Sequence, residues 1–338
     1  MRLLRGLHNI PAEFSGCAVT IGNFDGLHLG HQAILRGLHD AANALGVPTL
    51  VMIFEPQPKE FFAADKAPAR LANLREKLLD LDADHVDYVL CLPFNQALRS
   101  MSADDFIKQV LVDTLGIRHL IVGDDFHFGC DRRGDYQALA SAGLQYGFEV
   151  RDSSTFLVAG ERVSSTRVRK ELEADRLGEV RKLLGRAYRM SGRVAHGREL
   201  GRTLNTPTAN VLVKRHRLPL NGVYAVVAHI QQTGEDYLGV ANIGVKPTIS
   251  SMPEPSLEVH LFGFSGDLYG HHLTVEFWHK IRGERSFDGL EALREAIDDD
   301  KRSAQRYFAT LPHSFRDAGS SRITTTELNF SEATRYER

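Results

Sequence analysis

The chain has little cysteine, no charge excess of either sign and no long apolar run. Its three cysteines, Cys17, Cys91 and Cys130, are far apart, odd in number and without metal-ligand spacing, so they supply neither a disulfide framework nor a cysteine zinc site. Cys17 and Cys91 lie in apolar runs and read as small core residues. A formal net charge of −2 provides no global basic field, and nucleic acid is not an expected partner. No run of apolar residues approaches membrane-spanning length, and residues 1–8 lack a sustained signal-peptide core. The expectation is a protein of the reducing cytoplasm with no membrane partner. Internal repeats and low-complexity blocks are absent too. What remains is ordinary for a soluble globular protein, 43% hydrophobic and 25% charged, and 338 residues favour about two domains.

From residue 17 to about 185, short apolar runs alternate with helical patterns. Residues 17–21, 49–54, 88–92 and 119–122 read as buried strands. Residues 32–45 predict a helix with Ile34, Leu38, Ala41 and Leu45 on one face, a second file at Leu35 and Ala42, and a stop at Gly46. Another helix is predicted over 102–115, opened by Ser102 with Asp105 three residues on and striped by Phe106, Val110 and Leu111. Strands alternating with helices imply βαβ units and a parallel sheet covered on both faces, with ligands at the carboxyl ends of the strands. Near Gly185 the pattern changes. Residues 222–230, 237–243, 257–262 and 273–278 read as strands, the last two alternating with period two. A helix over 288–309 is expected to turn Leu290, Leu293, Ile297 and Ala304 inward. The second half is thus an antiparallel barrel or sandwich with one packed helix. Residues 311–338 are polar and read as a poorly packed tail.

Four strings carry chemistry in the first half. Residues 22–31 place His28 and His31 among glycines in a strand-to-helix turn, where backbone N–H groups and the helix dipole favour an anion. The same residues also fit a tight turn with a histidine cap. Residues 54–58 (FEPQP) and 122–129 (VGDDFHFG) each follow a strand. Residues 163–169 (VSSTRVR) open a helix with three hydroxyls and two guanidiniums, suited to phosphate oxygens or, singly, to an N-cap and a solvated face. In the second half, residues 192–202 form a basic loop punctuated by glycine, and Pro207-Thr208-Ala209-Asn210 follows. A hydroxyl and an amide oxygen two apart on an extended segment share a side, and both are hard donors suited to Mg²⁺. Pro-Thr-x-Asn is also ordinary turn chemistry. Glu258 lies on the face opposite Leu257 and Val259, either toward solvent or as a general base.

Taken in order, GNFDGLHLGH, FEPQP, VGDDFHFG, VSSTRVR, HGRELGRTLNTPTAN, ANIGVKPT and LEVHLFGFSGDLYG make the chain resemble the bacterial bifunctional riboflavin kinase/FAD synthetase family from about residue 17 to 309. The resemblance implies an α/β plus β chain. Residues 1–185 would be a Rossmann-like nucleotidyltransferase domain with FMN adenylyltransferase activity. Residues 186–310 would be an antiparallel riboflavin kinase β-barrel with a packed C-terminal helix, leaving 311–338 as a tail of unassigned role. It also implies ATP-phosphate contacts from Gly22, Phe24, Gly26, His28, His31, Ser164, Ser165, Thr166 and Arg169, with His28 and His31 catalytic. Asp125 and Phe126 would meet flavin in that module. In the kinase module Gly192, His196, Gly197, Gly201, Arg202, Thr208 and Asn210 would bind ATP, Thr208 and Asn210 would hold Mg²⁺, and Glu258 would be the base. Riboflavin, FMN, FAD and ATP are the implied partners, in a monomer or weak homo-oligomer.

Three positions depart from the family pattern: Gln57 stands where His is usual, Asn205 where Gly is usual, and Gly263 where Asp is usual. Besides a tRNA synthetase-like reading of the histidine turn, which no anticodon-binding half or basic surface supports, two rival readings are an adenylyltransferase for another substrate, such as pantetheine phosphate or nicotinate mononucleotide, and a non-enzymatic flavin-binding or regulatory protein. The barrel half and the PTAN string argue against the first. Intact His28, His31, Glu258, Thr208 and Asn210 argue against the second.

Overall fold

The computed structural model describes residues 1–123, 125–153, 155–196, 206–246 and 254–312. They form two compact units, one from Met1–Pro68 and Leu74–Val163, the other from Ala69–Asn73 and the described residues from Ser164 onward.

In the first unit, strands β1 (Arg2–Arg5), β2 (Ala18–Ile21), β3 (Thr49–Glu55), β4 (Tyr88–Pro93), β5 (His119–Val122) and β6 (Glu149–Asp152) make a six-stranded sheet in the order β1-β4-β3-β2-β5-β6. Every neighbouring pair is parallel. Side chains alternate across such a sheet, so continuous apolar strands need cover on both faces. Val19, Ile21, Leu50 and Met52 pack with Phe106, Val110 and Leu111. Their neighbours Ala18, Val51 and Ile53 pack with Leu35, Leu38 and Ala42. Burial pushes the Cys17 thiol up to about 12, in keeping with an inert core residue. A two-residue hairpin, β7 (Leu157–Val158) with β8 (Glu161–Arg162), closes the unit.

The helix after β2, α1 (Leu29–Leu45), begins three residues before the expected start because His28 caps it. Its buried stripe is Leu35, Leu38 and Ala42, whereas Ile34 and Ala41 are half-buried and Leu45 is exposed. The sheet therefore takes the second file together with Leu38 of the first, and Leu45 at the end of the first file rotates away from it. Gly46 ends α1 in the left-handed conformation, φ 65°. Ser102 caps Ala103–Asp105, which continues as a π-helix over Phe106–Thr114 with the predicted stripe buried.

The second unit carries α2 (Ser165–Glu173), a helix over Leu177–Leu184, and six strands. These are β9 (Tyr188–Ala195), β10 (Ala209–Leu212), β11 (Gly222–Ile230), β12 (Asp236–Lys246), β13 (Glu254–Leu261) and β14 (His272–Arg282). They close a barrel in the order β10-β13-β12-β11-β14-β9, every pair antiparallel. Of the two architectures open at the outset, the barrel is the observed one. Tyr224, Val226, Leu257, Val259, Val275 and Phe277 are fully buried at alternating positions. Gly192 has a packing reason: a Cβ there would lie 2.2 Å from the Leu212 carbonyl oxygen.

The last helix, α3 (Leu290–Ala309), lays Ala304 and Phe308 on Ala225 and Val227. Its buried stripe is Ala296, Asp300, Ala304 and Phe308. Leu290, expected inward, is 64% exposed, because the stripe advances by four residues from Ala296 and leaves the first turn overhanging. Leu293 and Ile297 are half-buried and line a cavity described below. Of the polar tail, 313–338 lies outside the described residues.

Candidate functional site

Parallel sheets bind ligands beyond the strand ends where the strand order reverses. In the first unit that point lies between β2 and β5: the chain runs β2, β3, β4 to one side and returns to place β5 on the other. The histidine turn leaves β2 and the 123–129 loop leaves β5, so both motifs start at the reversal.

The turn itself is unusual backbone. Phe24, Gly26 and Leu27 all have positive φ, 45°, 87° and 41°. For the two non-glycine residues this costs roughly 1–2 kcal/mol each, and it persists here because Phe24 and Leu27 are buried. The Gly22 N–H donates to the Met52 carbonyl at 3.1 Å, anchoring the turn to β3. His28 caps α1: its Nδ1 accepts the His31 N–H at 3.3 Å. The two imidazoles stack with centroids 3.7 Å apart, and Phe24 lies 4.8 Å from His31. The capping reading of His28 thus holds, and it also fixes the ring at the positive end of the helix dipole. Among the described residues, the buried His31 Nδ1 has no hydrogen-bond partner.

Burial, then His28 and Lys77, holds the His31 pKa well below its usual value. An unfolded chain would protonate this group near pH 6.5 while the folded one does not, so acid favours unfolding. Melting temperature is expected to fall as pH drops below 6.5, and to fall less steeply in His31→Asn. Equal slopes in scans from pH 8 to pH 5.5 would remove His31 as a cause.

Around this turn the other expected residues take varied positions. Asp125 is exposed, and its Oδ1 accepts from Arg162 at 3.3 Å. Phe126 stacks on Phe128 at 5.6 Å. Gln57, the departure from the family's usual His, is buried and caps Pro58–Ala63, with Glu60 completing a capping box. Beyond that cap Phe61 and Phe62 meet Phe94 edge-on at 5.4 and 5.8 Å, and both are exposed. No sequence-based expectation covers that aromatic cluster, although adjacent phenylalanines shortly after Pro58-Lys59 are a visible signal.

Ser164–Arg169 open α2 in the second unit. Ser164 is its N-cap, the Oγ accepting the Arg167 N–H at 3.2 Å, so the capping reading holds there too. Ser165 is half-buried and Thr166 exposed in the first turn. The Arg169 Nε donates to the Ala69 carbonyl at 2.6 Å.

The barrel holds the other candidate centre. A cavity of about 250 Å³ lies between the barrel wall and α3, lined among others by Thr208, Asn242, Glu258 and His260. Glu258 sits mid-strand with Asn210 directly opposite on β10 and Asn242 directly opposite on β12. Residues directly opposite share a face, so the carboxylate lies between two amides, away from buried Leu257 and Val259 as expected. Thr208, just before β10, lines the cavity with Glu258, whereas Asn210 flanks it without lining it.

Three contacts hold these walls. Arg282 makes a bidentate pair with buried Asp300, at 2.9 and 2.8 Å, joining β14 to α3. Lys301 Nζ donates to Thr206 Oγ1 at 3.2 Å. His260 Nδ1 lies 2.9 Å from the Pro207 carbonyl, which can only accept, so that nitrogen carries the proton. Burial lowers the His260 pKa and keeps the ring neutral. Neither the place of Asn242 beside Glu258 nor the Arg282–Asp300 pair follows from the sequence: the first needs the β12–β13 register and the second the packing of α3 on β14.

The exposed His196 stacks on Tyr269 at 3.7 Å. Gly263 turns at φ 70° with open space where a Cβ would stand, a conformation that Asp, the family's usual residue there, also tolerates. Gly197, Gly201, Arg202 and Asn205 lie outside the described residues.

Comparison with known proteins bears on both centres. A family model described as FAD synthetase matches residues 10–167, and one described as riboflavin kinase matches residues 184–308. A Pseudomonas fluorescens protein is 53% identical over 93% of this chain and 100% of its own length. One from Escherichia coli (strain K12) is 48% identical over 91% of this chain and 98% of its own length. Both are named bifunctional riboflavin kinase/FMN adenylyltransferase. A crystal structure named as a macrolide-efflux protein from Streptococcus pneumoniae superposes with a TM-score of 0.76 at 27% identity, covering 90% of this chain and 99% of that one. The chain belongs to the bifunctional riboflavin kinase/FMN adenylyltransferase family.

Proposed function

We propose that the chain phosphorylates riboflavin with ATP to give FMN, then adenylylates FMN with a second ATP to give FAD and pyrophosphate. The observation that carries this reading is the placement of Glu258 between Asn210 and Asn242 at a cavity of the barrel, in a chain whose other unit sets a histidine turn at its sheet's reversal point. Adenylyl transfer is assigned to residues 1–185 and phosphoryl transfer to residues 186–310.

The two steps need different chemistry. Riboflavin presents a neutral primary alcohol. As its oxygen bonds to the γ-phosphorus and the bond to the ADP oxygen breaks, the hydroxyl proton must leave, and Glu258 is placed to take it. Thr208 and Asn210 offer neutral hard oxygens suited to Mg²⁺ alongside phosphate oxygens, and bound there the ion would neutralise charge on the transferring group. Asn210, Asn242 and His260 hold the surroundings of the carboxylate, and the Arg282–Asp300 pair fixes α3 over it.

In the second step FMN already carries an ionised phosphate, so no base is needed. The requirement is alignment of two anions and stabilisation of charge at the α-phosphorus and the departing pyrophosphate. His28, His31 and the amides of residues 22–28 suit that task, with Ser164, Ser165, Thr166 and Arg169 as further phosphate ligands and Asp125 and Phe126 toward flavin. A cytoplasmic setting and a monomer or weak homo-oligomer belong to the same reading. Among the described residues no helix is long and apolar enough to cross a membrane.

A time course with riboflavin and Mg-ATP, resolving riboflavin, FMN and FAD by chromatography, tests the proposal. FMN is expected first and FAD after it. FMN alone would remove the adenylyl-transfer half, and neither product from folded protein would overturn the whole reading.

A further inference from the structure

Residues Ala69–Asn73 pack with the second unit although both flanking segments belong to the first. This short strap is held by its backbone carbonyls. The Ala69 carbonyl accepts from Arg169 Nε at 2.6 Å. The Arg70 carbonyl accepts from Arg215 Nε at 3.3 Å, and the Leu71 carbonyl from Arg215 Nη2 at 3.0 Å. Tyr188 adds its hydroxyl, which donates to the same Leu71 carbonyl at 3.0 Å. Arg215 also donates from Nη1 to the Val213 carbonyl at 3.3 Å. Arg215, Tyr188 and Leu71 are all buried. A buried guanidinium must spend its N–H groups on acceptors, and here its Nε, Nη1 and Nη2 each grip main chain. The strap's path is thereby set by Arg215 and Tyr188, and its first carbonyl holds Arg169.

We propose that Arg215 is a positioning residue for adenylyl transfer: it fixes the 69–73 strap, whose Ala69 carbonyl in turn orients the guanidinium of Arg169 toward the ATP phosphates. The inference rests on the phosphate role assigned to Arg169 above. A bond at Nε sets the plane in which the two-pronged end of a guanidinium can meet an anion, so a shifted strap misaims the fork. Lysine at 215 keeps the charge but cannot span two carbonyls in the same way. Arg215 lies within the residues matched by the riboflavin kinase model, yet it is absent from the lining of the barrel cavity. Its predicted effect therefore falls on the reaction of the other half.

The experiment uses the full-length protein as wild type, Arg215→Lys, Tyr188→Phe, Arg169→Ala and the Arg169→Ala/Arg215→Lys double variant. Both reactions are followed with ATP varied, beside a thermal melt of each protein. Arg215→Lys is expected to raise KM for ATP in FAD formation roughly five- to tenfold, with a smaller change in kcat and riboflavin phosphorylation within about twofold of wild type. Tyr188→Phe, which keeps the ring and removes one donor, should shift the same KM in the same direction by less. Because Arg215 acts through Arg169, adding Arg215→Lys to Arg169→Ala should change KM no further.

Equal loss in both reactions, no loss in either, or full additivity in the double variant would overturn the inference. If Arg169→Ala leaves FAD formation unchanged, the phosphate role of Arg169 fails and the inference falls with it. A large effect of Arg169→Ala beside none of Arg215→Lys sinks the inference alone.

Discussion

Glu258→Ala is expected to lower the rate of FMN formation from riboflavin by about 10³, the middle of the range for loss of a general base. Conversion of supplied FMN to FAD should continue near the wild-type rate. The split follows from position: Glu258 lies in the middle of β13, bonded into the barrel on both sides, and every residue lining its cavity belongs to the second unit. Glu258→Gln separates chemistry from packing, because it keeps the volume and removes the proton acceptor. Both variants should lose kcat with little change in KM for riboflavin. If the two activities fall together in a protein that still melts cooperatively, separate centres are ruled out.

Substituting His28 is expected to give the reciprocal pattern, a loss of roughly 10²–10³ in FAD formation with FMN formation retained. Alanine alone is a poor test because His28 caps α1, and losing a cap typically costs about 1 kcal/mol. His28→Asn is the sharper variant. Asparagine is among the best N-caps, so it preserves the helix start while removing the imidazole. A rate near wild type in His28→Asn would leave the histidine as a cap and nothing more. A rate as low as that of His28→Ala would assign the loss to the ring.

Local features were legible before any coordinates. The four central strands of the parallel sheet, the Ser102 cap, the glycine stop at Gly46 and the face carrying Glu258 all follow from short-range pattern and are observed, whereas the edge strands β1 and β6, short and partly exposed, are not marked by an apolar run. Two apolar residues were misplaced, Leu45 and Leu290, each in a terminal turn whose burial depends on how far the opposing sheet extends. Periodicity carries no information about that. Contacts between distant segments were not legible either. Asn242 opposes Glu258 only because β12 and β13 pair in one register, and Arg282 meets Asp300 only because α3 returns across the barrel. Gln57 illustrates a third case: its side-chain amide serves a capping box with Glu60 three residues on, a local pattern present in the sequence although Gln is an uncommon N-cap.

The strap also bears on how the molecule can be divided. One of its two structural units is discontinuous in sequence, since five residues that belong to it are encoded about ninety positions upstream of the rest. A fragment beginning at Ser164 would carry the whole barrel and still lack the carbonyls that Arg215 and Tyr188 grip. It would strip Arg215 and Tyr188 of those main-chain acceptors and open the interior they sit in, where a hydrogen bond to a charged group contributes about 1.5–3 kcal/mol. Fusion in this chain is thus more than a tether between two enzymes: a piece of the first stretch of sequence completes the interior of the second.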